Sequence, residues 1–137
     1  MIIVSACLAG INCRFDGKNK PNSKIMELVQ KGEAIPVCPE VLGGLPAPRD
    51  PQEIINDRVI TIKGEDVTEQ FEKGAKEVLR ICKEHGCKKA ILKSKSPSCG
   101  LGQICDGTFS GKMIEGDGIT ARLLRENGIE VISSDDI

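Results

Sequence analysis

Four short runs of mostly apolar residues predict buried β-strands. Each run is nearly unbroken in its apolar character, which is typical of strands that are covered on both faces. The runs span residues 2–6, 34–38, 90–93 and 130–133. A weaker run at 59–63 predicts one more short strand, and the Gly-rich segment 100–113 predicts a small irregular hairpin.

Three stretches between these runs have helical spacing and helix-boundary residues. Asn22 can cap a helix that continues to about Lys31. Asp66 or Thr68 can cap a second helix, and the residues after Asp117 form a third. Alternating strands and helices predict an α/β fold, an open, mainly parallel, Rossmann-like sheet of about four strands flanked by helices. We expect a single domain over residues 1–137.

Charge and hydropathy exclude several classes of protein. The chain has 19 basic and 20 acidic residues, a balance that argues against strong non-specific binding to nucleic acid. No run approaches the roughly 18 apolar residues of a membrane helix, and no basic segment precedes the first apolar run. We therefore expect a cytoplasmic protein without a membrane partner. The basic stretch that contains Lys93 and Lys95 is interpreted as a solvated face.

Cysteine is the most unusual feature of the composition. The chain has seven cysteines but no Trp or Tyr. In the cytoplasm, such a surplus indicates metal or redox chemistry more than disulfides. Cys7, Cys38 and Cys99 each follow a different predicted strand. Because the carboxyl ends of parallel strands share one edge of a sheet, we expect these three thiols to meet there.

The spacing of the cysteines favours an iron–sulfur cluster. Three thiolates suit a cubane cluster with one iron that has no protein ligand. The chain lacks the paired Cys-x-x-Cys spacing that is typical of zinc sites, although zinc and ordinary buried or redox thiols stay open as alternatives. Cys82 and Cys87 are interpreted as structural, whereas Cys13 and Cys105 are secondary candidates for the site.

Several ordered motifs along the chain resemble those of the thiouracil desulfidase family. The resemblance spans about residues 1–135. The motifs that carry it are Cys7-Leu8-Ala9-Gly10, Arg14-Phe15-Asp16-Gly17, Cys38-Pro39-Glu40, Gly43-Gly44-Leu45-Pro46 with Pro48-Arg49, Ser96-Pro97-Ser98-Cys99-Gly100, and Asp106-Gly107-Thr108-Phe109. Two residues depart from the family pattern: Cys13 replaces an apolar residue, and Phe15 replaces a tyrosine.

The resemblance implies a cofactor and a reaction. It implies a 4Fe-4S cluster held by Cys7, Cys38 and Cys99, with one iron lacking a protein ligand. That iron would bind the sulfur of a thiolated pyrimidine, and oxygen from water would replace the sulfur without net redox change. The family pattern also points to Asp16, Glu40, Ser96 and Ser98 near the cluster.

The reaction needs a group that moves protons and groups that bind the substrate. We predict Glu40, Asp16 and Ser98 as catalytic residues, since a carboxylate must accept the proton of water and later donate one. We predict Arg14, Ser96 and Arg49 as substrate-binding residues. The alternatives are capping or solvated carboxylates, a serine that only shapes its turn, and arginines that brace loops.

Three classes of function follow from these residues. The first is a desulfidase acting on a small thionucleobase, nucleoside or nucleotide, with the iron–sulfur assembly machinery as a partner. A thiolated tRNA is a less favoured substrate because the chain has no basic excess. The second is a non-catalytic iron–sulfur or zinc module, and the third is a cysteine-based sulfur carrier.

Overall fold

The computed structural model describes residues 1–137, which form eight strands and four α-helices. In chain order the strands are β1 (Ile2–Ser5), β2 (Ala34–Val37), β3 (Gln52–Ile55), β4 (Arg58–Thr61), β5 (Lys89–Leu92), β6 (Gln103–Cys105), β7 (Met113–Glu115) and β8 (Glu130–Ser133). The helices are α1 (Ser23–Gln30), α2 (Pro39–Leu42), α3 (Thr68–His85) and α4 (Ile119–Glu126). None of the helices combines the length and apolar character needed to span a bilayer.

The four predicted core strands form one parallel sheet. Its strand order is β2-β1-β5-β8, and each neighbouring pair runs parallel. Successive residues of a strand face opposite layers. Ile3 and Leu92 pack with α3 and α4, whereas Val4 and Ile91 pack with α1. The open parallel α/β architecture is therefore confirmed.

Two antiparallel hairpins stand beside the main sheet. β3 pairs with β4, and β6 pairs with β7, so the hairpin predicted within 100–113 exists and extends two residues further. The sequence also indicated the β4 strand. It did not indicate α2 or β3, because a four-residue element in a Pro- and Gly-rich segment shows no periodicity.

Local hydrogen bonds explain where two of the helices begin. The Asn22 side chain accepts the backbone N–H groups of Lys24 and Ile25 at 3.0 and 3.2 Å, as expected for an N-cap. At the start of α3, the Asp66 carboxylate accepts the N–H of Thr68 at 2.9 Å. The predicted Asn22 cap is thus confirmed. The prediction of Asp66 or Thr68 as the cap of the second helix is wrong, because Val67 is the N-cap residue of α3 and Asp66 instead closes the turn that leads into the helix.

Helices α2 and α3 touch through glycine. A Cβ atom at Gly74 would overlap the carbonyl oxygen of Pro39, and one at Gly43 would overlap the carbonyl oxygen of Gln70. Only glycine permits this backbone-to-backbone approach. The contact fixes α2, which carries Glu40, against the long helix α3.

We predict that G74A destabilises the protein by at least about 1–3 kcal/mol, because overpacking forces the two backbones apart. Chemical denaturation followed by circular dichroism measures this. The matched control is K76A, which removes an exposed side chain of the same helix and should change the free energy of unfolding by less than about 0.5 kcal/mol. Equal stability of the two variants would contradict the proposed packing constraint.

Candidate functional site

Cys7 lies in a single 3-10 turn, Ala6–Ala9, directly after β1. Its side chain is buried. Its carbonyl oxygen accepts the N–H of Lys20 at 2.9 Å. Cys38 directly follows β2 and is the N-cap residue of α2. The end of each strand therefore places a thiol at the same edge of the sheet.

Cys99 lies in a tightly bonded loop after β5. The Ser96 hydroxyl oxygen accepts the N–H groups of Ser98 and Cys99, each at 3.0 Å. The first turn of α4 holds this loop in place, because the N–H of Thr120 donates a hydrogen bond to the Ser98 carbonyl at 2.9 Å. A Cβ atom at Gly118 would stand 2.5 Å from that same carbonyl, so glycine is required where the helix meets the loop.

The three strand-end thiols line one cavity of about 390 Å³. Two further thiols, those of Cys13 and Cys105, lie in its wall. No group of three or more Cys, His, Asp or Glu side chains stands close enough together to hold a single metal ion. Thiolates that each bind a different iron of a cluster stand farther apart than the ligands of one ion. This donor set and the size of the cavity fit an iron–sulfur cluster.

Hydrogen bonding and burial shift the pKa values of the three strand-end thiols in different directions. A hydrogen bond with Cys13 lowers the pKa of Cys7 below its usual value. Burial raises the pKa of Cys99 to about 12. A hydrogen bond with Cys13, followed by burial, raises the pKa of Cys38. Since metal ligation requires thiolates, loading the site releases protons.

Glu40 lies in the wall of the cavity and forms an ion pair with Arg49. Its Oε2 accepts a hydrogen bond from the Arg49 guanidinium at 2.5 Å. Burial raises the pKa of Glu40, and Arg49 offsets only part of this effect. The second terminal nitrogen of Arg49, Nη1, donates to the Cys13 and Pro46 carbonyls, each at 3.0 Å. Arg49 thus ties Glu40 to two loops.

Six of the nine residues predicted for the site line the cavity. They are Cys7, Arg14, Cys38, Glu40, Ser96 and Cys99. The other three do not reach its wall. Arg49, whose side chain is only 4% exposed, contacts Glu40 rather than the cavity, a placement that favours a positioning role over the predicted contact with substrate.

Asp16 and Ser98 are engaged elsewhere. The Asp16 carboxylate accepts the N–H of Lys18 at 3.0 Å and lies 3.7 Å from the Arg14 guanidinium, so it shapes its own turn. Ser98 is fully buried, and its hydroxyl bonds to Thr120 at 2.7 Å. Of the two loop serines, Ser96 is the one that faces the cavity.

Six polar residues of the wall were not predicted as site residues from the sequence: Ser5, Gln52, Glu53, Lys93, Ser94 and Lys95. Lys93 was interpreted as part of a solvated face, but it is half-buried and lines the cavity. Burial lowers its pKa, and the nearby Cys7 opposes this shift. Gln52 and Glu53 come from β3, a strand that the pattern did not show. The position of Lys93 directly after β5 was the one available signal.

Glu53 anchors the β6–β7 hairpin, whose Cys105 lines the cavity. This carboxylate is buried, and its Oε1 accepts the N–H groups of Gly107 and Phe109 at 3.0 and 3.2 Å. Gly107 approaches β3 so closely that an added Cβ would lie 3.0 Å from the Ile54 carbonyl oxygen. One acidic side chain therefore fixes the tip of the hairpin.

Comparison with known proteins assigns the family. A family model described as 2-thiouracil desulfurase matches residues 2–136. The chain belongs to the 2-thiouracil desulfurase family. The family resemblance seen in the sequence motifs is thereby confirmed.

Two proteins are similar to this 2-thiouracil desulfurase family member over more than nine-tenths of their length. A solved structure of the [4Fe-4S]-dependent thiouracil desulfidase TudS superposes with a TM-score of 0.95 at 46% identity, covering 99% of this chain and 91% of TudS. The uncharacterized protein YbbK of Bacillus subtilis (strain 168) is 46% identical over 147 residues, covering 100% of this chain and 97% of YbbK.

We predict that E53A loosens the hairpin of this family member. Charged hydrogen bonds contribute about 1.5–3 kcal/mol, so amide hydrogen exchange at Gly107 and Phe109 should accelerate at least about tenfold. Exchange measured by NMR or mass spectrometry tests this. E115A, at an exposed position of the same hairpin, is the control and should leave both amides protected. Similar exchange in the two variants would disprove the role of Glu53.

Proposed function

We propose that this protein is an iron–sulfur-dependent desulfidase that replaces the sulfur of a thiolated pyrimidine with oxygen. The substrate resembles 2-thiouracil, as a base, nucleoside or nucleotide, and hydrosulfide is released without net redox change. The observation that carries the proposal is the presence of three strand-end thiols and the Glu40 carboxyl in the wall of one cavity. Membership of the 2-thiouracil desulfurase family supports it.

Cys7, Cys38 and Cys99 are the proposed ligands of a 4Fe-4S cluster. Three thiolates for four irons leave one iron without a protein ligand, and that iron supplies Lewis-acid activation of a carbon–sulfur bond when the cluster is bound. The reliance of TudS on such a cluster, at 46% identity, supports the assignment. Assembly of the cluster makes the iron–sulfur machinery a partner of this chain.

Glu40 is the proposed acid–base residue. Because Arg49 occupies Oε2, Oε1 is the oxygen that can take a proton from the attacking water. The same oxygen returns a proton to the ring nitrogen of the product. A raised pKa brings the protonated and ionised forms of the carboxyl closer in free energy near neutral pH, as this exchange requires.

Ser96, Arg14 and Lys93 are the proposed substrate-positioning residues. The Ser96 oxygen accepts two backbone N–H groups, so its own proton is available to donate to a ring carbonyl. Arg14 and Lys93 provide positive charge in the wall, which compensates an anionic cluster and the hydrosulfide product. A small substrate suits this cavity, and the net charge of −1 does not favour tRNA.

The decisive experiment is hydrosulfide release from 2-thiouracil by the anaerobically reconstituted protein. We expect iron and sulfide in the loaded protein and stoichiometric formation of uracil and hydrosulfide. Iron-loaded protein that releases no hydrosulfide would favour the non-catalytic iron–sulfur module. Zinc in place of iron would favour the zinc module, and a metal-free protein would favour the sulfur carrier.

We predict that E40Q lowers the rate of hydrosulfide release by about 100-fold or more, since acid–base residues typically contribute factors of about 10²–10⁴. Visible absorption and iron content should stay unchanged, because Glu40 is not a proposed ligand. The control is E33Q, which makes the same change at an exposed glutamate. An active E40Q enzyme would exclude Glu40 as the acid–base group.

We predict that R49K lowers kcat by about tenfold or more and leaves KM nearly unchanged. Lysine cannot reproduce the several directed contacts of the guanidinium, so Glu40 would lose its orientation. The control is R58K, because Arg58 is exposed and pairs with Asp66 outside the cavity. A rise in KM with constant kcat would instead support the direct substrate contact predicted from the sequence.

A further inference from the structure

Cys13 is a cavity thiol to which the proposed reaction gives no role. Its side chain is buried and belongs to the same packed cluster as Cys7, with Cys38 packed against that cluster. The Cys38 thiol donates to the Cys13 carbonyl oxygen at 3.6 Å. Cys13, Cys7 and Cys38 also line the same cavity. It therefore stands between two proposed ligands of the cluster.

The backbone holds Cys13 firmly in that place. Its N–H donates to the Ile11 carbonyl at 2.9 Å, and its own carbonyl accepts the Arg49 guanidinium at 3.0 Å. These two bonds fix the backbone of Cys13 beside Cys7 and Cys38.

The remaining cysteines have different neighbours. The Cys105 thiol lies in the cavity wall but contacts the Met113 sulfur, at 3.9 Å. Cys82 and Cys87 are buried in the core cluster on the opposite face of the sheet. Cys13 is thus the non-ligand thiol with direct access to two ligand thiols.

We propose that Cys13 is an oxidative modification site, which forms a disulfide with Cys7 or Cys38 when the cluster is absent. This inference rests on the proposed function only for the assignment of Cys7 and Cys38 as ligands. In the loaded protein those two sulfurs bind iron, so Cys13 has no partner. Loss of the cluster frees both thiols beside Cys13, which packs in one cluster with Cys7 and whose carbonyl contacts Cys38.

The chemistry needs a hydroperoxide as oxidant. With hydrogen peroxide, one thiol is oxidised to a sulfenic acid and a water molecule leaves as the O–O bond breaks. The neighbouring thiol then attacks the sulfenic sulfur, an S–S bond forms and a second water leaves. Two thiols lose two electrons and two protons in total, and the peroxide is reduced to two waters.

The disulfide has two consequences for the site. It withdraws one ligand from cluster assembly until a thiol reductant restores it. It also stops oxidation at a reversible stage, before the ligand sulfur reaches an irreversible sulfinic acid. Cys13 would thus preserve the site during loss of the cluster.

The test uses the full-length cluster-free protein, treated with one equivalent of hydrogen peroxide and digested with trypsin without reduction. Cys7 and Cys13 share the tryptic peptide 1–14, and Cys38 lies in peptide 32–49. We expect the loss of two free thiols and either an internal disulfide in peptide 1–14 or a link between these two peptides. Dithiothreitol should restore both thiols and the capacity to bind iron.

Variants identify the cysteine responsible. C13S should abolish both disulfide species and leave a sulfenic acid at Cys7 or Cys38, which a second equivalent of peroxide converts to sulfinic acid. C13A serves as a second variant if the serine disturbs folding. C105S, which alters another thiol of the same cavity, should behave like the unmodified sequence. Disulfide species that persist in C13S, or peroxide treatment that yields no disulfide, would overturn the proposal. Because the readout is peptide mass, it is independent of desulfidase activity.

Discussion

The register between β1 and its two parallel neighbours determines where the sulfur atoms of the site stand. Ser5 pairs with Val37 of β2, and Val4 pairs with Ile91 of β5. Chain segments that leave these three strands must therefore emerge side by side. The Ser5 hydroxyl oxygen accepts the N–H of Lys93 at 2.8 Å, which joins β1 to the residue that follows β5. A shift of one strand would move its cysteine out of the cavity.

Helix packing then adds precision that the sheet alone does not provide. The glycine contact between α2 and α3 holds Cys38 and Glu40 on a helix that is itself only four residues long. A helix of that length is not stable alone, so its orientation comes from α3 and from the Arg49 side chain. The N-terminus of α4 does the same for the Cys99 loop. Well-packed helices thus stabilise the short irregular segments that carry the site residues.

The sequence predicted the elements whose signal is local. Apolar runs and capping residues revealed the four core strands and the helices α1, α3 and α4, and strand order then explains why three cysteines meet. The directions of loop side chains were not predictable in this way. Ser98 turns away from the cavity because of Thr120, which lies 22 residues further along the chain. Arg49 turns away because its guanidinium donates hydrogen bonds to Glu40 and to two backbone carbonyl groups at the same time.

The same reasoning explains the error at Lys93. A lysine in a polar stretch is usually solvated. Lys93 instead directly follows the buried strand β5, so it lies in the cavity wall together with Cys7. Its charge has a physical use there, since an anionic cluster or product in a partly buried cavity is costly without nearby cations. Arg14 and Lys95 lie in the same wall, as do the carboxylates Glu40 and Glu53. A balance of charge around the thiols, rather than the thiols alone, is therefore what suits this cavity to the proposed reaction.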